Sequence, residues 1–437
     1  MAGKHGGGIT SVASGLGERV RTARKELGLS QAQLAGEELT KGFISQLESG
    51  LVRPSIRSLQ LIAGRLGKPL DYFLGDESLA TEKRVAFHRL AAETAAEQRD
   101  WDLVREHVDQ GLAGAPEAAE RARFLYLLAQ AETAARAYER TFEVVGEALA
   151  LVEVASEPQL VASLLFFQGS AYGGMDQLVA ATDALEASRD IIERYEVLDP
   201  RLRSRVMLSL GTVYRRLRRS SKAIISYESA LATASRASEL TLAARGYMGI
   251  AATHYDSGEL DAAIANYRRA LELFQRVSDI DFELNALQSI ATVQFENEHV
   301  EEAKVSAERA MQRALEAGSA RWAAVAEVTL ARITLREGHA RDALRMAKHA
   351  AQVLAESGDK VNQADALGAS GAAYEALGLV AEADTAYRSA IDLHTSVGDL
   401  ADRAGMAAEY ARVLRARGEI DAAFEMLELA NGGGTSR

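Results

Sequence analysis

The sequence predicts an all-α protein: a small helical head followed by a long helical repeat. Three observations carry that expectation. The 437 residues include only 5 prolines, at 54, 69, 116, 158 and 200, so none interrupts the chain beyond Pro200. Proline breaks helix interiors, whereas alanine, abundant here, is the best helix former. Glycines 258, 338, 378 and 418 fall on a 40-residue grid, with Arg218 and Glu298 in the two remaining slots. Small residues keep phase with that grid. Gly211, Ala251, Ala291, Ala331, Gly371 and Ala411 precede the slots, and Ala223, Ala263, Ala303, Ala343, Ala383 and Ala423 follow them. A third set lies further on at Ala230, Ala270, Ala310, Ala350, Ala390 and Ala430. A merely alanine-rich helix has no reason to hold such a phase.

The head comes first. Leu16, Val20, Ala23, Arg24 and Leu27 share one face of a helix that Gly28 stops. Ser30 is suited to cap a second helix opening Gln31-Ala32-Gln33-Leu34-Ala35. A third helix spans about 41–49 and ends at Gly50. Leu51-Val52-Arg53-Pro54-Ser55 reads as a turn. Ser55 then caps a fourth helix, with Leu59, Leu61, Ile62 and Leu66 facing inward. Gly67-Lys68-Pro69 ends it, and Leu70, Tyr72, Phe73 and Leu74 close the bundle.

Several stretches of the head together resemble the Xre family of phage-repressor-like helix-turn-helix proteins. They are Leu29-Ser30-Gln31, Leu34-Ala35, Phe43-Ile44-Ser45-Gln46-Leu47-Glu48-Ser49-Gly50, Arg53-Pro54-Ser55 and Leu59. The resemblance covers residues 15–75 and implies a five-helix domain whose third helix enters the major groove of duplex DNA. Lys41, Gly42, Phe43, Ser45 and Gln46 are then the base-reading candidates. Gln46 suits bidentate contact with adenine and Lys41 suits guanine. Ser30, Gln31, Ser49, Arg53 and Arg57 are placed for phosphates. Phe43 could equally pack in the core, where Ile44 and Leu47 belong. Glu48 reads as structural, because a carboxylate repels phosphate. One departure stands out: the turn Gly36-Glu37-Glu38-Leu39 is a residue shorter than usual and lacks the family's turn glycine. One head reads only a half-site, so the resemblance also implies a homodimer on a palindromic operator.

The body, residues 76–430, reads as helix, short turn, helix, short turn. A small residue midway along each helix lets neighbours approach closely. Tyr227, Tyr267, Tyr387 and Leu427 fill the gaps beside the small residues, and alanine replaces them at Ala307 and Ala347. Ser-Gly-Asp at 357–359 and Val-Gly-Asp at 397–399 read as turns in which glycine ends one helix and aspartate caps the next. No unit can bury its own apolar face, so the units must stack. Leu210-Gly211-x-x-Tyr214, then Ala223, Tyr227, Ala230 and Leu231, resembles the tetratricopeptide repeat. Looser copies run through 101–112, 138–149 and 181–188. The resemblance implies about nine helical hairpins in a right-handed superhelix whose first helices line a groove. The unit here is longer than the usual repeat and lacks its late proline. His254 stands where that motif has tyrosine, so a core position is expected for it.

A helix-turn-helix head joined to such an array resembles bacterial peptide-sensing regulators of the quorum-sensing type. That implies a short peptide or other small effector in the groove. Counting from the grid puts Arg245, Tyr255, Asn285, Gln288 and Arg332 on its lining. Amides can pair with a peptide backbone and arginine with a carboxylate. Two other readings remain open at this stage. The array could be a protein-docking scaffold tethered to DNA, or it could only dimerise a constitutive repressor.

Charge and composition narrow the alternatives. Residues 1–75 carry +4 and the rest −16, within a net charge of −12. A basic head on an acidic body suits a head that meets a polyanion. The absence of cysteine removes disulfides, thiolate nucleophiles and Cys-based metal sites. The 8 histidines show no metal-ligand spacing, and no phosphate loop, HExxH or GxSxG motif is present. The expectation is therefore no catalytic residue, no cofactor, no bound metal and no enzyme. No apolar run approaches the ~20 residues of a membrane span, and Met-Ala-Gly-Lys-His is no signal-peptide start. A cytoplasmic protein without a membrane partner is expected, with glycine-rich tails at 1–14 and 431–437 disordered.

Overall fold

The computed structural model describes residues 9–36, 38–52, 54, 56–74, 81–114, 116–398 and 400–431. Regular structure among them is entirely α-helical. The chain divides into two compact units, Met1–Ala171 and Tyr172–Arg437. The division falls inside the helix Pro158–Gly174.

The first unit opens with α1 (Ile9–Glu26), α2 (Gln31–Ala35), α3 (Lys41–Glu48), α4 (Ile56–Leu66) and α5 (Leu70–Leu74). Helical geometry thus starts at Ile9, ahead of the residue-15 boundary, while residues 1–8 lie outside the described residues. The core gathers Val20, Ala23, Leu34, Ile44, Leu47, Ile62, Leu66 and Phe73, all nearly or wholly buried. Ser30 caps α2 with a full capping box, in which its hydroxyl accepts from the Gln33 amide and the Gln33 side chain accepts from the Ser30 amide. Thr40 caps α3 through the Phe43 amide. Gly36 makes the turn between these helices. It sits at φ +54°, and a Cβ there would lie 2.4 Å from the Arg65 guanidinium. Arg65 occupies that space because it donates to the carbonyls of Leu34 and Ala35 and pairs with Glu38. The family's turn glycine is missing, and Gly36 supplies the left-handed residue in its place.

Four further helices complete this unit as two antiparallel pairs: α6 (Thr81–Glu97) with α7 (Trp101–Ala113), and α8 (Ala118–Ala134) with α9 (Tyr138–Leu149). Two of the looser copies seen in sequence, 101–112 and 138–149, are the second helices of these pairs, and the third, 181–188, lies in the helix Leu178–Arg194. Helix α10 (Pro158–Gly174) follows.

The second unit contains α11 (Leu178–Arg194) and then six pairs. They are α12 (Pro200–Arg216) with α13 (Ser220–Arg236), α14 (Leu240–Asp256) with α15 (Leu260–Val277), and α16 (Ile280–Glu296) with α17 (Val300–Glu316). Next come α18 (Ala320–Arg336) with α19 (Ala340–Glu356), α20 (Lys360–Ala376) with α21 (Val380–Ser396), and α22 (Leu400–Arg417) with α23 (Ile420–Ala430). From Pro200 onward a helix begins every 20 residues. Each turn between them holds one residue at positive φ: Arg218, Ser238, Gly258, Ser278, Glu298, Gly318, Gly338, Gly358, Gly378, Gly398 and Gly418. Around that residue the backbone closes a Schellman motif, as where the Glu259 amide donates to the His254 carbonyl and the Arg219 amide to the Tyr214 carbonyl. The non-glycine slots adopt the same geometry as the glycine ones. Asp359 then caps α20 through the Asn362 amide, while Asp399 lies outside the described residues.

The small residues lie where helices cross. Ala223, Ala263, Ala303, Ala343 and Ala383 are essentially inaccessible, as are Ala230, Ala270, Ala310, Ala350 and Ala390. Tyr227 fills the space they leave. Its ring lies where a Cβ on Gly211 or Gly249 would come within 2.6 or 2.3 Å of it, and its hydroxyl bonds Thr212 at 3.0 Å. Tyr267 and Tyr387 are buried in the same way, but Leu427 is 43% exposed because no described helix follows α23. His254 is half-buried rather than core, with Nδ1 2.6 Å from a Glu259 carboxylate oxygen in the adjoining turn. First helices of neighbouring pairs touch, α12 with α14 and α16 with α18 and α18 with α20. Second helices make no comparable contact among the described residues, so the first helices form the inner row of the bend.

A left-handed conformation costs a non-glycine residue about 1–2 kcal/mol, part of which glycine gives back as extra freedom when unfolded. Arg218→Gly is therefore expected to stabilise the second unit by about 0.5–1 kcal/mol, seen as a raised melting temperature.

Candidate functional site

Helix α3 divides cleanly by angle. At 100° per residue, positions 41, 42, 45, 46 and 49 fall within roughly a 140° arc, and Ile44 and Leu47 lie opposite. Lys41, Gly42, Gln46 and Ser49 are exposed, and Ser45 is half-buried at the centre of the arc. Lys41 and Gln46 make no side-chain hydrogen bond or ion pair among the described residues, so both remain available to a ligand. Phe43 stands at the margin of the arc and packs half-buried against the head's core. Among the phosphate candidates, Ser30 spends its oxygen on the cap, and Ser49 donates to the Ser45 carbonyl at 2.8 Å. Arg57 is exposed at the start of α4. Arg53 lies outside the described residues.

The flank of α3 beside Lys41 is locked by an ion pair. Arg24 of α1 donates through Nε and Nη2 to both oxygens of Glu48, at 2.5 and 2.9 Å, and through Nη1 to the Leu29 carbonyl. Gln31 also donates to Glu48 at 2.9 Å, so this phosphate candidate serves the scaffold as well. The Arg24 and Glu48 side chains are 11% and 4% exposed. Burial alone would raise the Glu48 carboxyl. The hydrogen bonds from Arg24 and Gln31, with the Arg24 charge, outweigh it and hold Glu48 below the usual carboxylate range. Three helices thus meet at one carboxylate, and that fixes the angle at which α3 presents its arc.

In the second unit, the five groove candidates lie on three successive first helices. Arg245 and Tyr255 are on α14, ten residues and so about 15 Å apart along it. Asn285 and Gln288 are on α16, and Arg332 is on α18. Gln288 donates to Thr329 on α18 at 2.6 Å, while its Oε1 is buried without a partner. The Tyr255 hydroxyl donates to Glu296 on α16 at 2.8 Å, and burial and the Glu296 charge raise its phenol. Arg332 is half-buried and makes no hydrogen bond or ion pair among the described residues. Its charge nonetheless acts on the phenols of Tyr255 and Tyr387. Asn285 is half-buried and Arg245 exposed. Tyr255 and Gln288 thus each bridge to the next first helix, the Arg332 charge acts on Tyr255, and Arg245 lies about 15 Å along α14 from Tyr255.

Sequence reasoning missed the bonds that tie one pair to the next. Arg215 pairs with Asp256 at 2.8 Å, Trp322 Nε1 donates to Asp281 at 2.8 Å, and Arg417 binds Glu375 and Asp384. Most partners lie about one 40-residue period apart, so the grid itself was the available signal. Also missed was a cavity of about 580 Å³ between α19, α20 and α21, lined by Lys348, Gln363, Leu367, Ser370, Tyr374 and others. None of the five groove candidates lines it. Ser370 stands where other pairs have Leu210, Ile250, Ile290 and Leu330, so a side chain that would fill the space is missing.

Comparison with known proteins agrees with this geometry. A helix-turn-helix family model matches residues 20–73, and a tetratricopeptide repeat model matches residues 244–276. The chain thus carries an Xre-type helix-turn-helix domain and tetratricopeptide repeats. The chain is 31% identical over 74 residues to the immunity repressor protein of Bacillus phage phi105, covering 17% of this chain and 51% of that protein. The chain therefore spans about half the length of the curated relative it matches. The apo form of RapI superposes with a TM-score of 0.61 at 14% identity, over 80% of this chain and 96% of that one. The apo form of the quorum sensor NprR from B. thuringiensis gives 0.60 at 16% identity, over 86% and 99%. At such identity these two establish a shared fold. No helix among the described residues is long and apolar enough to cross a membrane.

The Glu48 carboxylate is more acidic folded than unfolded, so its contribution to stability is full above the ordinary glutamate pKa and is lost as pH falls through the lowered value. Head stability, followed by amide exchange in α2 and α3, should fall in that acidic window. Glu48→Gln should flatten the dependence and cost about 3 kcal/mol, since it strands Arg24.

Proposed function

We propose that the chain is a sequence-specific DNA-binding transcriptional regulator rather than an enzyme. It acts as a homodimer on a palindromic duplex site, in the cytoplasm, with no cofactor or metal. The observation that carries this reading is the arc of exposed Lys41, Gly42 and Gln46 with half-buried Ser45, on a helix whose flank is locked by Arg24 and Glu48. A rigid helix with uncommitted amide and ammonium groups is what reading base edges requires. Phosphate contacts are assigned to Ser30, Arg57 and the undescribed Arg53, with Gln31 reaching phosphate through its second amide hydrogen and Ser49 only by releasing the Ser45 carbonyl. The phage repressor resemblance of the head supports the assignment.

The array is proposed to bind a short peptide or other small effector on its inner row and to alter dimer geometry and DNA affinity. Two groups support this: the Gln288 Oε1, which is buried without a partner, and the half-buried Arg332, which makes no hydrogen bond or ion pair among the described residues. A peptide backbone N–H would satisfy Gln288, and a carboxylate would satisfy Arg332. The shared fold with a protein named a quorum sensor is consistent with that role.

A gel-shift selection from random duplexes should yield a palindromic site. Gln46→Ala should weaken binding about 5- to 150-fold and relax preference at one base pair per half-site. Unchanged affinity and preference would refute the DNA assignment. Once an effector is found by screening cell-extract peptides, Arg332→Ala should abolish its effect on DNA binding while leaving effector-free DNA affinity intact. A full response from that variant would refute the groove.

A further inference from the structure

The cavity between α19, α20 and α21 is a vacancy in an otherwise repeating seam. In the seam before it, between α17, α18 and α19, Leu330 is buried with Met311 and Met346 packed against it. One period later the same three phases hold Ala351, Ser370 and Ala386. The polar cover changes as well. In the earlier seam His349 Nδ1 lies 2.6 Å from a Glu327 carboxylate oxygen. The counterparts here are Ser389 and Leu367, which cannot form that pair. The Ser370 hydroxyl donates to the Ala366 carbonyl of its own helix at 2.9 Å, so its hydrogen turns back from the gap. The space left is about 580 Å³.

This cavity faces away from the groove. The phases of the groove candidates fall in α20 at Asp365, Gly368, Ala372 and Glu375, whereas Gln363, Leu367, Ser370 and Tyr374 line the cavity. At 100° per residue the two sets point about 150° apart. The side walls are the second helices α19 and α21. Ala351, Ala355 and Ala386 with Leu367 and the Tyr374 ring make most of the lining apolar, and its charged side chains are Lys348 and Glu382. Both are exposed, and neither makes an ion pair among the described residues. Antiparallel pairing sets Lys348 level with the Leu367–Ser370 stretch of α20. Glu382 lies beside Tyr374, roughly a turn further along. A volume within about 300–1,000 Å³, apolar walls and a few polar groups are the marks of a small-molecule site.

We propose that this cavity binds a small apolar monocarboxylate of the medium-chain fatty acid type, its chain between α19 and α21 and its carboxylate on Lys348. The preceding seam indicates what such a space takes, since Leu330, Met311 and Met346 fill it with aliphatic chains beneath a charged cover. The ligand supplies from outside what those side chains supply from within. Charge decides the head group. Lys348 at the middle of the rim attracts one anion, and Glu382 at the Tyr374 end repels a second. A single carboxylate is therefore favoured over a neutral head and over a dianion. The site stands on these residues alone and depends neither on DNA binding nor on an occupant of the groove.

Isothermal titration calorimetry of the whole chain with octanoate decides it. The unchanged protein should show a single saturable site. Octanol and octanedioate should each bind about fivefold more weakly. Lys348→Met should bring octanoate down to the level of octanol. Ser370→Leu restores the residue type of Leu210 and Leu330, and should abolish octanoate binding without lowering the melting temperature. Ala386→Met, which restores the type of Met346, should weaken octanoate at least about tenfold and guards against a Ser370→Leu protein that fails to fold, as checked by circular dichroism. No saturable octanoate binding by the unchanged protein would overturn the proposal. So would a folded filling variant that binds octanoate as the unchanged protein does, or an unchanged protein that takes octanol as well as octanoate. DNA is absent from the titration, so its outcome is separate from that of the DNA assignment.

Discussion

The array depends on one constraint: a pair of helices cannot bury its own apolar face. Everything from Pro200 onward serves to bring the next pair into place. Helices of equal length, turns of one backbone geometry and alanines at the crossings are separate sequence features, yet they answer the same need. Adding a methyl group at Gly211 or Gly249 would displace the Tyr227 ring, and that ring is what fills the seam between pairs. The polar bonds between neighbouring pairs, such as Arg215 to Asp256 and Tyr255 to Glu296, come on top of this packing. They are partly exposed and add alignment more than stability.

The head solves a different problem on a smaller scale. Its α2 has only five residues and cannot stand alone. It is held by a capping box at Ser30, by Arg65 on its last carbonyls, and by Gln31 reaching Glu48. Three of the polar side chains that could be read as ligands for phosphate, Ser30, Gln31 and Ser49, are engaged in this scaffold, whereas Arg57 stays exposed. What is left unengaged is narrow: one ammonium, one amide and a hydroxyl on a single arc of α3. Restricting the free groups in this way favours selectivity, since contacts that carry no sequence information are kept away from the reading face.

Much of this was legible in the sequence. The order and boundaries of the head's helices followed from caps and stops, and the 40-residue grid gave the pairs because helix period and turn chemistry leave a fixed mark. Arg218 and Glu298 were readable as grid slots only by phase, since their side chains gave no hint of a left-handed backbone. Side-chain partnerships were harder. Gln31 and Gln46 are alike in type and both lie in the motif, but only the three-dimensional position of Glu48 separates the scaffold amide from the free one. The cavity beside Ser370 was hidden because a serine there looks ordinary until four equivalent positions are aligned. Leu427 was misassigned to the core because the repeat pattern continues to the last helix while its partner helix does not.

The uniform twenty-residue spacing has a consequence for how such a chain can change length. Adding or deleting one residue inside a helix rotates everything after it by about 100° and moves the crossing alanines off their partners. The same change in a turn disturbs the single left-handed residue on which the Schellman geometry rests. Point insertions are therefore excluded almost everywhere in the second unit. Duplication or loss of a whole pair keeps every later helix in phase. The array is in this sense digital: its groove can lengthen or shorten across evolution by whole hairpins, while its local geometry stays fixed.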